Sequence, residues 1–395
     1  MLLKTIDQAD LKGKRVIARF DFNVPLTKTE PRTITDTSRI DLALPTIRMI
    51  LEKGASKLVL MSHLGRPDGQ VNAKYSLAPV AEYLAEKLGI DVILTESAVD
   101  NGVKELLTLP ETKVVLLENL RYNPGEEKND LEFAEKLSQY GDIYVNDAFG
   151  AAHRKHASVY GINTFFKNRA YAGLLLKKEI ESLSTLIEKP TKPFVAIIGG
   201  AKVSDKIKTI EKLMVLVDTL LIGGAMAYPF LKAKGATVGN SLCSDEDVAL
   251  AKNILSQDRA GKIILPKDHI ISATLEGKGE VCHSLSIPAD FMGLDIGPET
   301  VKSFADHIKV ARTVFWNGPM GLFESESFAK GTMSIAHVIA ANTGFTVVGG
   351  GDSVSAAHQS GEADKFTHVS TGGGASLEYI EKGELPGVLA LKTGL

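Results

Sequence analysis

Cysteine, tryptophan and aromatic side chains are scarce in this 395-residue chain. The two cysteines, Cys243 and Cys282, have no ligand-type spacing around them and read as free thiols, which fits a reducing compartment. No apolar run approaches a membrane span, and residues 1–4 lack the long apolar region of a signal peptide, so a cytoplasmic location with no membrane partner is expected. A net charge of −3 argues against a nucleic-acid partner, which would call for a basic face. There is no G-x-x-x-x-G-K-[ST], so the chain is not a P-loop NTPase, and the missing G-x-G-x-x-G weakens a nicotinamide reading. The H-R-D and D-F-G elements of protein kinases are absent, as are a serine-centred G-x-S-x-G and H-E-x-x-H.

Glycine, by contrast, is concentrated where it matters. An apolar run at 345–348 leads into Gly349-Gly350-Gly351-Asp352-Ser353, and His368-Val369-Ser370-Thr371 leads into Gly372-Gly373-Gly374. Three glycines in a row remove every Cβ and let an anion approach the backbone. Good helix formers follow the second run, and a helix N-terminus favours phosphate. One such run reads equally well as a tight turn before a helix; two after adjacent strands point to phosphate binding. Asp352 is a hard oxygen ligand suited to Mg²⁺ that already holds phosphate.

The length predicts two or three domains. Strands are expected over 15–20, 57–61, 113–117 and 142–145, then over 194–198, 219–222, 262–265, 313–316, 345–348 and 367–369. Most are continuously apolar, as in parallel strands buried on both faces. Helical patterns between them, such as 78–88 and 205–216, complete a β-then-α rhythm and predict α/β parallel sheets. A longer helix over 172–188 separates the two strand sets and reads as an inter-domain connector, stopped by Lys189-Pro190. Residues 27–35 read as an exposed loop.

Ligands of open parallel sheets sit beyond the carboxyl ends of the strands. In the first half those ends carry Asp21 and Asn23, then His63 and Arg66, then Arg121, then Asn146, Asp147, His153 and Arg154. With Arg39 they could form a basic pocket for a small, multiply charged acid. Nine of the 11 arginines fall at or before Arg169, and arginine makes bidentate contacts with carboxylate and phosphate. In the second half, Lys202 and Lys206 are four apart, so both can lie on one face of a starting helix, and a phosphate between them would offset the unfavourable macrodipole. Trp316 reads as core packing, and the small residues after it leave room for a flat base, with Glu324 placed to accept from ribose hydroxyls.

Side by side, these segments resemble the phosphoglycerate kinase family over nearly the whole chain. The motifs are RFDFNVP at 19–25, SHLGRP at 62–67, LENLRY at 117–122, NDAFGAAHR at 146–154, GGAKVSDK at 199–206, WNGPMGLFE at 316–324, GGGDS at 349–353 and STGGGASLE at 370–378. The resemblance implies two doubly wound, Rossmann-like α/β domains facing each other across a cleft. Residues 1–171, rejoined by a tail at 383–395, would bind 3-phosphoglycerate or 1,3-bisphosphoglycerate. Residues 189–382 would bind Mg²⁺ with ADP or ATP, and a monomer is implied.

By the same resemblance, Asp21, Asn23, Arg39, His63, Arg66, Arg121 and Arg154 match the triose pocket. Lys202 and Lys206 match phosphate-binding lysines, and Asp352, beside Gly351 and Ser353, matches the Mg-nucleotide position. Gly372, Gly373 and Gly374 match the helix start facing the phosphates. Asn317 matches a residue near those phosphates, Glu324 the ribose contact, and Gly200, Ala201, Gly293, Leu294, Gly321 and Leu322 the adenosine pocket. Arg39, Lys202 and the amides of Gly372, Gly373 and Gly374 are expected to stabilise the transferring phosphoryl group. Three places depart from the family pattern: Ala225 replaces a usual third glycine, Pro229 stands where threonine is common, and the 27–35 loop lacks the usual glycine-containing turn. The alternatives are a non-catalytic nucleotide-binding protein on the same scaffold and a nucleotide-dependent dehydrogenase.

Overall fold

Short, continuously apolar runs become strands buried on both faces. In the computed structural model, which describes residues 2–395, six of them form one all-parallel sheet. They are β1 (Arg15–Arg19), β2 (Lys57–Met61), β3 (Val92–Leu94), β4 (Val114–Leu116), β5 (Ile143–Asn146) and β6 (Ala170–Ala172), in the order β3-β4-β2-β1-β5-β6. Met1, the first residue of the segment read for a targeting signal, lies outside the described residues.

The second strand set is β7 (Phe194–Ile198), β8 (Thr219–Ile222), β9 (Ile263–Ile264), β10 (His269–Ser272), β11 (Glu280–Cys282), β12 (Met292–Ile296), β13 (Thr313–Asn317), β14 (Phe345–Val348) and β15 (His368–Val369). Six of these make a parallel sheet ordered β15-β14-β13-β7-β8-β9. The other three pair antiparallel as β11-β10-β12 and were not among the strands expected from the sequence. The fold is therefore two parallel-sheet α/β domains. Strand order reverses between β1 and β5 in one sheet and between β7 and β13 in the other, which opens a crevice at each reversal beyond the strands' carboxyl ends.

The chain divides into two compact units. One runs to Glu181 and takes back Glu384–Leu395; the other is Ser182–Gly383. The division falls inside the helix Leu174–Glu188. That helix starts two residues later than the 172–188 pattern suggested. Ala172 is still in β6, and the Asp147 carboxylate accepts from the Leu176 amide at 2.9 Å, capping the first turn. In the first unit the returning helix Pro386–Thr393 is tied by the Gly387 amide to the Ala152 carbonyl at 2.8 Å.

In the first unit Val16, Ala18, Leu58, Leu60, Val114 and Val145 pack against Ile40, Ile47 and Ile50 of the helix Ser38–Glu52 and against Val80 and Leu84 of Ala78–Leu88. In the second, Val195, Ile197, Val314 and Trp316 meet Phe304, Ile308, Ile335 and Ile339. Trp316 is fully buried, its Nε1 donating to the Gly318 carbonyl at 2.8 Å, so it is core and not a stacking platform. Cys243 and Cys282 are free thiols packed beside a small cluster around Tyr228 and Ile287. Residues 27–35 are largely exposed and close as a short ribbon, with Leu26 bridging Ile34 and the Thr27 amide bonded to the Thr33 carbonyl at 2.9 Å. Among the described residues no helix is long and apolar enough to cross a membrane.

Candidate functional site

In the first unit the carboxyl ends of β4, β2, β1 and β5 are neighbours in the sheet, so their polar residues converge. Asp21 follows β1 and takes a 2.7 Å ion pair from Arg39 Nη1, which stands in the first turn of Ser38–Glu52. Burial works to raise the Asp21 carboxyl, but the surrounding positive charges, Arg39 and Arg19 among them, outweigh it and hold it below the usual carboxylate range. Asn23 ties this turn to the next one: its side-chain oxygen accepts from the Gly65 amide at 2.8 Å. Arg121 is buried on a 3-10 turn and donates through Nη1 to the Gly65 carbonyl at 2.7 Å, with Glu127 3.3 Å from its Nε. Arg154 is half-buried, 3.3 Å from His153, and its charge acts on both Arg121 and His156. Arg66 is exposed on the loop after His63.

This cluster rests on a buried layer that site-by-site reading of the sequence passed over. Arg19 is 1 % exposed. Its Nε donates to Ser158 Oγ at 2.9 Å, its Nη1 to the Phe20 carbonyl, and its Nη2 lies 3.0 Å from His63 Nδ1. Ser158 in turn donates twice to the fully buried Glu126, from Oγ at 2.6 Å and from its amide at 3.0 Å. Burial raises the Glu126 carboxyl, opposed by Arg19 and the Ser158 bonds. Glu118 likewise accepts from Ser76 Oγ at 2.7 Å and the Leu77 and Asn119 amides at 2.9 and 2.7 Å, fixing the loop that follows β2. An arginine directly following the apolar run Val16-Ile17-Ala18 was the sequence signal: at the buried end of a strand covered on both faces, such a charge must be paired.

In the second unit the crevice between β7 and β13 is lined by three turns. Gly199 and Gly200 bond through their amides to the carbonyls of Asn317 and Pro319 at 2.8 and 3.1 Å, and the Met226 amide returns to Gly200 at 2.9 Å. Lys206 Nζ donates to the Gly199 carbonyl at 2.6 Å. Its ammonium is pushed down to about 8 by burial, against the pull of Asp352 and Asp205. A side chain at Gly318, whose φ is +93°, would put its Cβ 2.6 Å from Lys206 Nζ and 2.2 Å from the Gly199 carbonyl. Lys202 and Lys206 do not share a helical face. The helix begins only at Ile207, Lys206 is its N-cap, and Lys202 stands exposed in the preceding turn. The turn that carries 203–206 takes the two residues, Asp205 and Lys206, with which the 205–216 pattern would have opened the helix.

Both glycine runs open helices, Gly351–Gln359 and Gly374–Lys382. Asp352 therefore sits exposed in a first helical turn, while Ser353 is buried and accepts from the Gly318 amide. A Cβ on Gly351, Gly373 or Gly374 would meet only open space, so their backbone is accessible. Gly372 is buried, its amide 3.3 Å from Ser370 Oγ. Asn317 donates to the Gly349 carbonyl at 2.6 Å and keeps a buried Oδ1 without a partner.

The other expected nucleotide residues lie on β12 and the turn after β13. Gly293 donates to Ser241 Oγ at 2.9 Å, and Leu294 accepts from the Leu322 amide at 2.8 Å, which brings Gly321 and Leu322 alongside. Asp295 fixes this pair from below. It is 2 % exposed and accepts from the Ile296 and Gly331 amides at 2.9 and 2.6 Å, with burial raising its carboxyl to about 7. Ala201 and Glu324 are exposed. Among the described residues no group of three or more His, Cys, Asp or Glu could hold a metal ion.

Two doubly wound α/β units, one with a basic, carboxylate-tethered crevice and one with a glycine-lined lysine crevice, define the class of a two-substrate phosphotransferase. The comparisons sharpen that class. The family model described as phosphoglycerate kinase matches residues 6–383. The chain is 51% identical over 399 residues to the phosphoglycerate kinase of Anaeromyxobacter sp. (strain Fw109-5), covering 99% of this chain and 100% of that protein. It is 47% identical to that of Pelodictyon phaeoclathratiforme, covering 99% and 100%. Among solved structures, phosphoglycerate kinase from Coxiella burnetii matches with a TM-score of 0.88 at 38% identity, covering 99% of this chain and 98% of that one. The enzyme from Pyrococcus horikoshii OT3 matches at 0.84 and 31%, covering 99% of each. The chain belongs to the phosphoglycerate kinase family. It is a glycolytic kinase, and the non-catalytic alternative draws no support from these relatives.

Proposed function

We propose that the chain moves a phosphoryl group reversibly from the acyl phosphate of 1,3-bisphosphoglycerate to ADP, giving 3-phosphoglycerate and ATP. The single observation that carries this reading is the pairing of crevices, each at a strand-order reversal, one basic and one glycine-lined. In the reverse direction the acceptor is a carboxylate. Such groups titrate near ~4 and need no general base. The first unit's strand ends fit that demand: they offer arginines, and Asp21, their nearest carboxylate, is already engaged by Arg39.

The triose acid is bound by Asp21, Asn23, Arg39, His63, Arg66, Arg121 and Arg154. The nucleotide is bound by Gly200, Ala201, Lys202, Lys206, Gly293, Leu294, Asn317, Gly321, Leu322, Glu324, Gly351, Asp352 and Ser353. Arg39, Lys202 and the amides of Gly372, Gly373 and Gly374 meet the charge of the transferring group. Positioning and neutralisation supply the rate, because phosphoryl transfer asks for little covalent help from the protein. Mg²⁺ fits as an ion brought in on the nucleotide phosphates. One exposed carboxylate, Asp352, stands beside Lys206, and a hard cation of this kind is commonly bound by one or two protein carboxylates plus phosphate and water. When bound it supplies charge neutralisation on the phosphates.

Closure of the two units about Leu174–Glu188 brings the substrates together and excludes water that would hydrolyse the acyl phosphate. The protein acts as a cytoplasmic monomer. The test is ATP formation from 1,3-bisphosphoglycerate and Mg-ADP by the parent and by Arg39→Ala. Loss of one such stabiliser costs ~3–4 kcal/mol, so turnover should fall by roughly a hundred- to a thousand-fold. A folded parent that binds Mg-ADP and makes no ATP would sink the reading, and an Arg39→Ala variant with nearly parental turnover would remove Arg39 from the transition state.

A further inference from the structure

The hydrogen-bond accounting of Arg19 leads past the pocket lining. Its guanidinium is buried and reaches no solvent, so it cannot touch a ligand in the crevice. Three of its nitrogens are spent on Ser158, Phe20 and His63. An arginine side chain donates and never accepts. At 3.0 Å from Arg19 Nη2, His63 Nδ1 must therefore present its lone pair, and the imidazole proton must sit on Nε2. The chain of donors runs one way, from Arg19 to His63 on one side and from Arg19 to Ser158 and from Ser158 to Glu126 on the other.

We propose that Arg19 is a positioning residue that locks His63 as the neutral tautomer protonated on Nε2, so that the pocket meets a fixed hydrogen-bond donor rather than a titrating cation. The role of that donor toward ligand rests on reading this crevice as the triose site. The groups facing His63 are Asp21 after β1, Arg19 at the end of β1, Arg121 on the turn after β4, and His156. Asp21 alone favours the imidazolium, and it is already engaged by Arg39. Burial, Arg19, Arg121 and His156 all oppose a second proton on the ring. A neutral ring here also removes one positive charge from a cluster that already holds Arg39, Arg121 and Arg154.

The experiment is two-bond ¹H–¹⁵N spectroscopy of the ¹⁵N-histidine-labelled full chain from pH 5 to 8, with His63→Gln used only to assign the signal. A protonated Nε2 and a bare Nδ1 that persist unchanged to pH 5 are expected. A parent ring protonated on Nδ1, or cationic near neutral pH, would overturn the proposal with no variant needed. Arg19→Lys, which keeps a cationic donor, should retain the tautomer. Arg19→Met should free it, so that His63 titrates within the range and its neutral form exchanges between tautomers. The triose KM then rises by up to about tenfold toward pH 8, where the unlocked ring loses its Nε2 proton to Nδ1, and recovers toward acid pH, where both nitrogens are protonated. An Arg19→Met spectrum identical to the parent's would refute the positioning role. Addition of 3-phosphoglycerate separates the two layers: a locked tautomer whose Nε2 does not respond would sink the pocket reading and leave the Arg19–His63 lock standing.

Discussion

Lys206 gives the sharpest prediction, because burial has already taken much of its charge stability. Its ammonium falls from 10.5 to about 8, which disfavours the cation in the ligand-free fold by about 3 kcal/mol. The unfolded chain would hold that proton up to 10.5. Stability attributable to Lys206 is therefore depressed throughout neutral pH and recovers as pH rises from about 8 toward 10.5. A nucleotide phosphate beside Nζ reverses the balance by supplying the missing anion. Binding should then draw in a proton whenever the free lysine has lost one.

With the bound lysine restored to 10.5, uptake is about 0.1 proton per nucleotide at pH 7 and about 0.9 at pH 9. ADP adds nothing to this above pH 8, since its phosphate has finished titrating near pKa ~6. Affinity should weaken by about tenfold per pH unit above 8. Titration calorimetry in two buffers of different ionisation enthalpy measures the uptake directly. Lys206→Met should abolish it. The same change should stabilise the ligand-free protein at pH 7 by about 2 kcal/mol, the burial term less about 1 for the lost bond to Gly199. Absence of uptake at pH 9, or its survival in Lys206→Met, would refute the argument that this buried ammonium is a phosphate partner.

Arg66 is exposed, so Arg66→Ala should leave the unfolding midpoint unchanged and raise the triose KM by roughly ten- to a hundred-fold; steady-state kinetics with 3-phosphoglycerate as the varied substrate checks it. Gly293→Ala would place a Cβ 2.0 Å from the Tyr228 hydroxyl and should cost about 1–3 kcal/mol in a denaturant titration, with Tyr228→Phe in the same chain recovering part of the loss. Asp147 is buried, and burial raises its carboxyl from 3.8 to about 7. The native state thus keeps a proton the unfolded chain releases, and stability falls as pH rises across that window. Asp147→Asn removes this drift and should gain on the parent by up to about 4 kcal/mol between pH 4 and 7, then hold level, as read from urea midpoints across pH.

Most of the two parallel sheets was legible because a strand covered on both faces has to be apolar throughout. Lys57–Met61, Phe194–Ile198, Thr219–Ile222 and Phe345–Val348 begin and end as their sequences indicate. β3 and β6 are three residues long, and β6 is Ala-Tyr-Ala, too short to carry a period. The antiparallel sheet escaped for another reason. β11 is largely exposed and β12 contains Gly293 and Asp295, so neither reads as an apolar run. Residues just beyond strand ends were findable because topology gathers them; Arg19 gave only the signal of a charge beside an apolar run, and Glu126 and Asp295 gave none, because the partners of all three are distant in sequence. Arg19 and Ser158 are 139 positions apart.

Both crevices keep donors in reserve. Arg39 commits Nη1 to Asp21, leaving most of its five N–H groups for an incoming carboxylate or phosphate. Lys206 commits one of three N–H groups to Gly199, a carbonyl that no anion would need to displace. The tethers set direction without exhausting capacity, so an anionic ligand adds bonds to cations already aimed. Breaking an internal pair first would leave a buried group unsatisfied and erase part of the gain. The same logic accounts for Asp21 being a carboxylate: it stays ionised despite burial, which keeps Arg39 drawn to the strand end before substrate arrives. An isosteric amide at Asp21 would keep the shape and lose that pull, so Arg39 would be free to leave the crevice, and ligand would then have to order the guanidinium as well as bind it.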